Sequence, residues 1–207
     1  GLRNVYHMKQ QGERKQVAKE SRYDTKYQER LKFHIETSKC QVRAADYAKQ
    51  FNAIKKKGVP KISVLRAEVI RLRAPACPGG FRYLAVEDKL KGDYQKWNSN
   101  NGYVNTLQHC RPCQVAQAFS HFSYEKSAET EMVVDIQGSD YTYTDPQLHS
   151  MAQEFGRADR GNSGFRDFFQ THECNDICNS LGLADRSRRS SATNNKDKRA
   201  STPVKNE

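Results

Sequence analysis

The first half of the chain combines one long helical segment with shorter segments whose residue types favour strands. Four apolar residues between positions 26 and 56 recur at the spacing of one helix face: Val42, Ala45, Ala48 and Phe51. Apolar and β-branched residues predict strands at 13–19, 61–74 and 81–88. Because "APACPGG" is rich in Pro and Gly, we expect a turn before the last of these strands.

The second half has two helical segments separated by a short apolar strand. Apolar residues on one face predict helices over "CQVAQAFSHFSYEKS" (113–127) and "GFRDFFQTHECNDICNSL" (164–181), with Gly182 suited to the position after the last helix. Between them, "EMVVDI" (131–136) predicts a buried strand and "GSDYTYTDP" (138–146) a loop.

These patterns predict an α+β fold with two lobes that join near residues 87–92. We expect the first lobe to span residues 1–90, the second to span residues 91–183, and a tail to follow at residues 184–207. The tail is polar and almost without large apolar residues, a composition typical of disordered segments.

The net charge of +11 raises the question of a nucleic-acid partner. The tail holds seven Lys or Arg against three acidic residues, so +4 of this charge lies outside the predicted lobes. No recognition signature for nucleic acid occurs, which makes a nucleic acid the less favoured partner. No apolar run approaches the length that spans a bilayer. We therefore expect a cytoplasmic location, and the start at Gly1 leads us to expect a larger parent chain with regulatory domains.

Cysteine and histidine spacing predicts a metal site in the second lobe. His172, Cys174 and Cys178 fall within eight positions, and thiolates with imidazole suit tetrahedral zinc. The sequence leaves two completions open. One adds His121 as the fourth ligand, and the other joins the two cysteines of "CRPC", Cys110 and Cys113, to Cys174 and Cys178. Spacing alone favours the second completion.

Two acids form another candidate site. The apolar segment "VVDIQG" leads to Asp135 and Gln137, and Asp145 follows in "YTDP". Carboxylates at strand ends and in loops hold Mg²⁺ against phosphates or accept a proton from an attacking hydroxyl. The alternative is that Asp145 only starts a turn and Asp135 only ends a strand.

Six segments, taken in order, resemble the consecutive signature blocks of the alpha-kinases, atypical serine/threonine protein kinases that include the myosin heavy chain and elongation factor 2 kinases. The segments are "VEDKLKGDYQKWNSNNGYV", "QAFSHFSYEKS", "MVVDIQG", "YTDPQLHS", "FGRADRGNSG" and "FFQTHECNDICNSLGL". The resemblance covers roughly residues 15 to 183. It implies the two-lobed alpha-kinase fold, in which residues 1–90 form the nucleotide-binding lobe and residues 91–183 the catalytic lobe with a structural zinc site.

The resemblance also implies roles for individual residues. Lys19 in "QVAKES" would contact the phosphates of ATP, and Glu87 would contact adenine together with neighbouring backbone. Asp135 and Gln137 would face the metal and the phosphates, and Asp145 would be the catalytic acid that also reaches the metal.

Lys96 in "QKWN" matches a basic position that faces this centre. His121, His172, Cys174 and Cys178 match the four zinc ligands, so the resemblance favours the first completion and leaves Cys110 and Cys113 outside the metal site. In "GRADRG", Asp159 and Arg160 stand where the family has an amide and an apolar residue, which bears on how a peptide substrate is held.

The function implied is transfer of the γ-phosphate of ATP to Ser or Thr of a protein substrate, with Mg²⁺ at the phosphates and Zn²⁺ as a structural ion. Two alternatives stand beside it. One is an alpha-kinase-like pseudokinase or scaffolding module, and the other is a zinc-stapled nucleic-acid-binding module.

Overall fold

The computed structural model describes residues 3–9, 15–22 and 27–186 of the chain. Within these ranges, the strands are β1 (Arg3–Lys9), β2 (Lys15–Ser21), β3 (Ser63–Val64), β4 (Glu68–Arg73), β5 (Phe81–Asp88), β6 (Gln95–Lys96), β7 (Glu131–Val134), β8 (Gln137–Ser139), β9 (Thr142–Thr144) and β10 (Gln147–Ser150). The helices are α1 (Tyr27–Ala53), α2 (Arg111–Lys126), α3 (Gly161–Thr171) and α4 (Asp176–Leu181). Helices and strands are mixed, as the α+β prediction requires.

An antiparallel sheet occupies the first ninety residues, with the strand order β1-β2-β5-β4. The strand predicted at 81–88 is confirmed as β5. The strand predicted at 13–19 is confirmed from residue 15 onward, and its first two residues lie outside the described part of the chain. The predicted turn before β5 is also present, where Pro78–Gly80 form a short 3₁₀ turn.

The predicted first helix is confirmed, but its buried face differs from the prediction. Ala48 and Phe51 are buried as expected, whereas Val42 is 62% exposed. The buried stripe instead follows a row of positions three or four residues apart: Cys40, Ala44, Tyr47, Ala48 and Phe51. Val42 is two residues away from both Cys40 and Ala44. Two residues correspond to about 200° of rotation around a helix, so Val42 lies on the opposite side.

The single strand predicted at 61–74 is wrong, because this segment contributes to two different sheets. β3 pairs in parallel with β9, while β4 pairs antiparallel with β5. The chain leaves β3 at Leu65, whose N–H donates to the carbonyl of Tyr143 at 2.8 Å. Residue types that favour strands do not indicate which neighbour each strand will pair with, so the crossing between sheets was not predicted.

The loop predicted at 138–146 is also wrong, since it contains a β-hairpin. β8 and β9 pair antiparallel, and together with β6 and β3 they complete a second sheet in the order β3-β9-β8-β6. Each strand of the hairpin has three residues, too few to show a clear alternation. The strand predicted at 131–136 is confirmed as β7, which pairs with β10.

The predicted helix at 164–181 is two helices separated by residues 172–175. His172 has extended backbone (φ −75°, ψ 124°), which ends α3. The side chain of Asn175 accepts hydrogen bonds from the N–H groups of Ile177 and Cys178 and begins α4. Gly182 closes α4 with a φ of 72°, which confirms its predicted position.

The main core joins the two halves of the sequence. α1 packs against α2, where the ring of Phe51 meets those of Phe119 and Phe122 at centroid distances of 5.7 and 5.4 Å. β3, also from the first half, pairs with β9 from the second half. The lobe boundary predicted at residue 90 stays a prediction. α1 and β3, which precede this residue, contact α2 and β9, which follow it. Of the helices in the described ranges, none is both long enough and apolar enough to cross a membrane.

A buried histidine on α1 links stability to pH. His34 is 1% exposed, and desolvation, with a further contribution from Arg3, lowers its pKa to about 4. An unfolded histidine titrates near pH 6.5, so between about pH 6.5 and 4 the unfolded chain binds more protons at this residue than the folded chain does. The free energy of unfolding must therefore fall as the pH drops through this window.

We expect the wild-type chain to lose about 2 kcal/mol of stability at His34 between pH 7 and pH 5. Over the same interval, the free energy of unfolding of His34→Leu should fall by about 2 kcal/mol less than that of the wild type. His7→Leu, at an exposed histidine on β1, is the matched control and should follow the wild-type profile. Urea unfolding at the two pH values measures the difference. Equal losses for wild type and His34→Leu would contradict the prediction.

Candidate active site and metal site

The two candidate acids lie at the same end of the β8–β9 hairpin. Gln137 in β8 is paired with Thr144 in β9, so Asp135, two residues before Gln137, comes close to Asp145, which follows Thr144. Both aspartates have positive φ angles, 59° and 54°. Asp adopts this backbone region more readily than most residues with a side chain. Aspartate therefore suits the backbone at both positions and also brings the two carboxylates to the same end of the hairpin.

Gln137 and Lys96 hold the carboxylate of Asp135 in place. The Nε2 of Gln137 donates to Asp135 Oδ2 at 3.0 Å and to the backbone carbonyl of Asp145 at 3.2 Å. Lys96 stands opposite Gln137 in the β6–β8 pairing, and its Nζ lies 2.5 Å from Asp135 Oδ1. One amide therefore ties the two acidic segments together, and one cation neutralises the first acid.

Lys19 in β2 is the buried cation of this centre. Its Nζ donates to Thr144 Oγ1 at 3.0 Å, to Asp145 Oδ2 at 2.7 Å, and to Glu87 Oε1. An ammonium group has three N–H donors, and here each has an acceptor. The Lys19 side chain is 7% exposed and that of Glu87 is 2% exposed, so this charge pair is removed from solvent.

Glu87 is fully engaged inside the protein. Thr144 Oγ1 lies 2.7 Å from each oxygen of the carboxylate, and Gln41 Nε2 donates to Oε2 at 3.3 Å. The side chain of Glu87 thus faces Lys19 and α1. Its predicted contact with adenine stays a prediction, as do the roles of the other five residues.

Sequence reasoning missed three residues of this centre: Arg3, Gln41 and Thr144. Arg3 Nη1 lies 2.8 Å from Asp145 Oδ1. Gln41 also donates to the carbonyl of Leu65, so it connects α1 to the segment after β3. The position of Thr144 directly before Asp145 is the one signal that the sequence offered. Nothing in the local patterns around Arg3 or Gln41 indicates that they reach this centre.

The predicted metal ligands also come together. His121 is on α2, His172 ends α3, Cys174 lies in the connection, and Cys178 is on α4. Their four ligand atoms all lie within 4.8 Å of one another. Because the break between α3 and α4 falls at residues 172–175, it places His172 and Cys174 beside α2.

The distances within this cluster fit a tetrahedral zinc ion. His121 Nδ1 lies 3.2 Å from His172 Nε2, and three sulfur–nitrogen distances in the cluster are 3.7, 3.7 and 3.8 Å. A tetrahedron with usual zinc bond lengths has N–N edges of about 3.3 Å and N–S edges of about 3.6 Å. The residues present therefore fit a closed, four-ligand zinc site.

Burial keeps these ligands uncharged when no cation balances them. Desolvation lowers the pKa of His172 to about 3, with a smaller contribution from the neighbouring His121. Burial raises the pKa of the Cys178 thiol to about 12. A bound divalent cation would lower the pKa of both thiols, because zinc binds the thiolate form of cysteine.

Cys110 and Cys113 do not belong to this cluster. Cys113 is fully buried, and its Sγ donates to the carbonyl oxygen of Trp97 at 3.8 Å. Cys110 precedes α2 as its N-cap residue. Spacing alone favoured a site made of four sulfurs, and the described residues do not form such a cluster. The cluster that they form contains His121 and His172 together with Cys174 and Cys178.

Comparison with solved structures defines the class of protein. The chain matches the alpha-kinase domain of myosin-II heavy chain kinase A, solved in complex with AMP-PNP, with a TM-score of 0.74 and 36% identity. The match covers 83% of this chain and 65% of that chain. At this similarity the fold is that of a protein kinase domain of the two-lobed atypical type.

Sequence comparison identifies the family. The model of the alpha-kinase family matches residues 1–178. Myosin heavy chain kinase A of Dictyostelium discoideum is 37% identical over 170 residues, which are 81% of this chain and 14% of that protein. Eukaryotic elongation factor 2 kinase of Homo sapiens is 35% identical over 153 residues, which are 73% of this chain and 20% of that protein. The chain belongs to the alpha-kinase family, and it spans no more than a fifth of either relative.

Proposed function

We propose that the chain is an ATP-dependent serine/threonine protein kinase that transfers the γ-phosphate of ATP to a hydroxyl of a protein substrate. The observation that carries this proposal is the single centre formed by Lys19, Glu87, Asp135, Gln137 and Asp145, with Lys96 beside Asp135. Phosphoryl transfer needs positioned phosphates, charge neutralisation and an acid near the attacking hydroxyl, and these residues supply each part.

Lys19 is the residue that we assign to the phosphates of ATP. Its three donors are already satisfied, so a phosphate oxygen must replace one acceptor. Asp145 is the acceptor that leaves most easily, because its side chain is 14% exposed and that of Glu87 is 2% exposed. Asp145 would then be released toward the acceptor hydroxyl while Glu87 continues to hold Lys19. We assign the backbone at Glu87 and its neighbours to the adenine end of the nucleotide, because the Glu87 side chain is buried against Lys19.

Asp135, Gln137 and Asp145 are the residues that we assign to Mg²⁺. Mg²⁺ prefers carboxylate and carbonyl oxygens, and these three residues offer both at one end of the hairpin. When bound, the ion would neutralise charge that develops on the phosphates. Asp145 would accept the proton of the attacking hydroxyl, and Lys96 would keep Asp135 in place.

We also propose that His121, His172, Cys174 and Cys178 hold a structural zinc ion. With four protein ligands the ion has no open coordination position, so it would take no part in chemistry. It would instead fasten α2 to the end of α3 and to α4.

A transfer assay with γ-labelled ATP, Mg²⁺ and a generic basic protein tests the proposed activity. Label on the substrate that depends on Mg²⁺ supports a kinase. ATP binding without transfer would favour the pseudokinase alternative. Salt-sensitive retention of RNA or DNA on a filter, without ATP binding, would favour the nucleic-acid alternative.

We expect the chain to phosphorylate its own tail. Six Ser and Thr residues lie among the basic residues of 184–207: Ser187, Ser190, Ser191, Thr193, Ser201 and Thr202. They lie outside the described residues. Mass spectrometry after incubation with Mg-ATP should find phosphate on these residues, and Asp145→Asn treated in the same way is the control. Phosphate found only on tyrosine would contradict the assignment to serine and threonine.

A further inference from the structure

After α4 has ended, residues 184–186, the last described residues, lie close to the proposed metal site. Gly182 has a φ of 72°, and the N–H of Leu183 donates to the carbonyl oxygen of Cys178 at 3.1 Å. The chain is thereby turned back toward α2. These residues lie beyond residues 1–178, which the family model matches.

The side chain of Arg186 fits into an acidic and aromatic recess on α2 and α3. Its Nε and Nη2 donate to Glu125 Oε1 at 3.2 and 3.1 Å, and Nη2 also donates to Glu129 Oε1. The guanidinium lies 4.9 Å from the ring centroid of Tyr124 and 5.3 Å from that of Phe169. The Arg186 side chain is 13% exposed, which distinguishes it from an ordinary surface ion pair.

The recess that holds Arg186 is continuous with the proposed metal site. Glu125 Oε1, the same atom that Arg186 contacts, lies 3.5 Å from His121 Nε2. The ring of Phe169 packs edge-on against that of His121 at 5.2 Å.

The chemistry of histidine explains why this arrangement matters. If His121 binds an ion through Nδ1, its proton must be on Nε2, the nitrogen that faces Glu125. A carboxylate that accepts a hydrogen bond from this nitrogen fixes the orientation of the ring, and loss of such a partner typically weakens metal binding by about 10- to 100-fold. Among the described residues, Arg186 is a cation in contact with this carboxylate, and its two hydrogen bonds to Glu125 Oε1 hold the carboxylate beside His121.

We propose that Arg186 is a positioning residue for the proposed metal site, because it orients Glu125 behind His121. This inference rests on the proposed structural zinc. It means that retention of the ion depends on a residue outside the part of the chain that the family model matches.

The test uses the full chain as purified, with its zinc content measured first. Transfer of zinc to a chromogenic chelator then gives the rate of loss for wild type, Arg186→Ala and Arg186→Lys. We expect Arg186→Ala to release zinc about 10- to 100-fold faster. Arg186→Lys keeps the charge but not the planar fork, and it should fall between Arg186→Ala and wild type.

Arg111→Ala is the matched control, since Arg111 pairs with Asp176 of α4 on a more exposed surface, where the two side chains are 34% and 66% exposed. It should release zinc at the wild-type rate. Equal rates for Arg186→Ala and Arg111→Ala would overturn the inference. If Arg186→Ala is insoluble, Arg186→Lys and Glu129→Gln decide the question by the same assay, and wild-type rates for both would overturn it. A wild-type chain that contains no zinc would instead refute the proposed metal site itself.

Discussion

Asp145→Asn will abolish phosphate transfer and leave the fold intact. The substitution keeps the shape of the side chain but removes the group that would accept the hydroxyl proton and help to bind Mg²⁺, so we expect activity to fall by roughly 10³-fold or more. The fold should be retained, because Lys19 keeps Glu87 as its counter-charge and asparagine also tolerates the positive φ of 54° at this position. Initial rates with γ-labelled ATP and a thermal unfolding curve measure the two effects.

Asp140→Asn is the matched control for this variant. Asp140 lies at the turn end of the same hairpin, is exposed, and has a φ of 48°. It should retain the wild-type rate. If Asp145→Asn turned over ATP at a rate similar to that of Asp140→Asn, the assignment of Asp145 would be wrong.

Lys19→Met should lose both activity and stability, which separates it from Asp145→Asn. Removing the ammonium leaves the buried carboxylate of Glu87 without its cation, and breaking a buried pair in this way costs about 3–5 kcal/mol. The double variant Lys19→Met/Glu87→Gln should recover much of that stability and remain inactive. A double variant as unstable as Lys19→Met would show that Lys19 and Glu87 are not coupled as the contacts indicate.

The second large effect is expected at the proposed zinc site. Structural zinc in small peptides contributes on the order of 10 kcal/mol to folding, whereas a whole domain has a stability of roughly 5–15 kcal/mol. Loss of a ligand should therefore unfold or loosen the packing of α2, α3 and α4. We expect Cys178→Ser and His121→Ala to retain little zinc and to be poorly soluble.

Cys110→Ser and Cys113→Ala are the controls for the ligand set, because both cysteines lie outside the cluster. Each should keep one zinc per chain. Elemental analysis of the four purified variants decides between the two completions that the sequence left open. If the Cys110 and Cys113 variants lost zinc while His121→Ala kept it, the ligand set that includes His121 would be wrong.

Local patterns predicted the helices α1 and α2 and the strands β2, β5 and β7, but not how the elements associate. The helical spacing of Ala48 and Phe51 was sufficient to place α1, because burial follows a period that the sequence displays. The hairpin of β8 and β9 was missed because three-residue strands display no such period. The break at His172 was missed because its apolar neighbours continue the helical spacing, while the cap that begins α4 depends on the single residue Asn175.

The candidate site shows the same limit. Asp135, Gln137 and Asp145 were found because they are close in sequence and of a suggestive type. Arg3 and Gln41 were missed because they reach the centre only through tertiary packing, from β1 and from α1. The resemblance to a family supplied what spacing did not, including the choice of His121 over Cys110 and Cys113.

The parallel pairing of β3 with β9 has a consequence for how the protein is made. Ser63 and Thr142, whose side chains are hydrogen bonded across this pair, are 79 residues apart in sequence, and Lys19 and Asp145 are 126 apart. Contacts between such distant residues form late, since the entropy of closing a long loop opposes them. As the chain emerges from the ribosome, β1, β2, β4 and β5 are available to pair long before β9 exists. We therefore expect the sheet of β1, β2, β5 and β4 to form early and the proposed phosphate-transfer centre to be completed only after β9 and Asp145 have been synthesised.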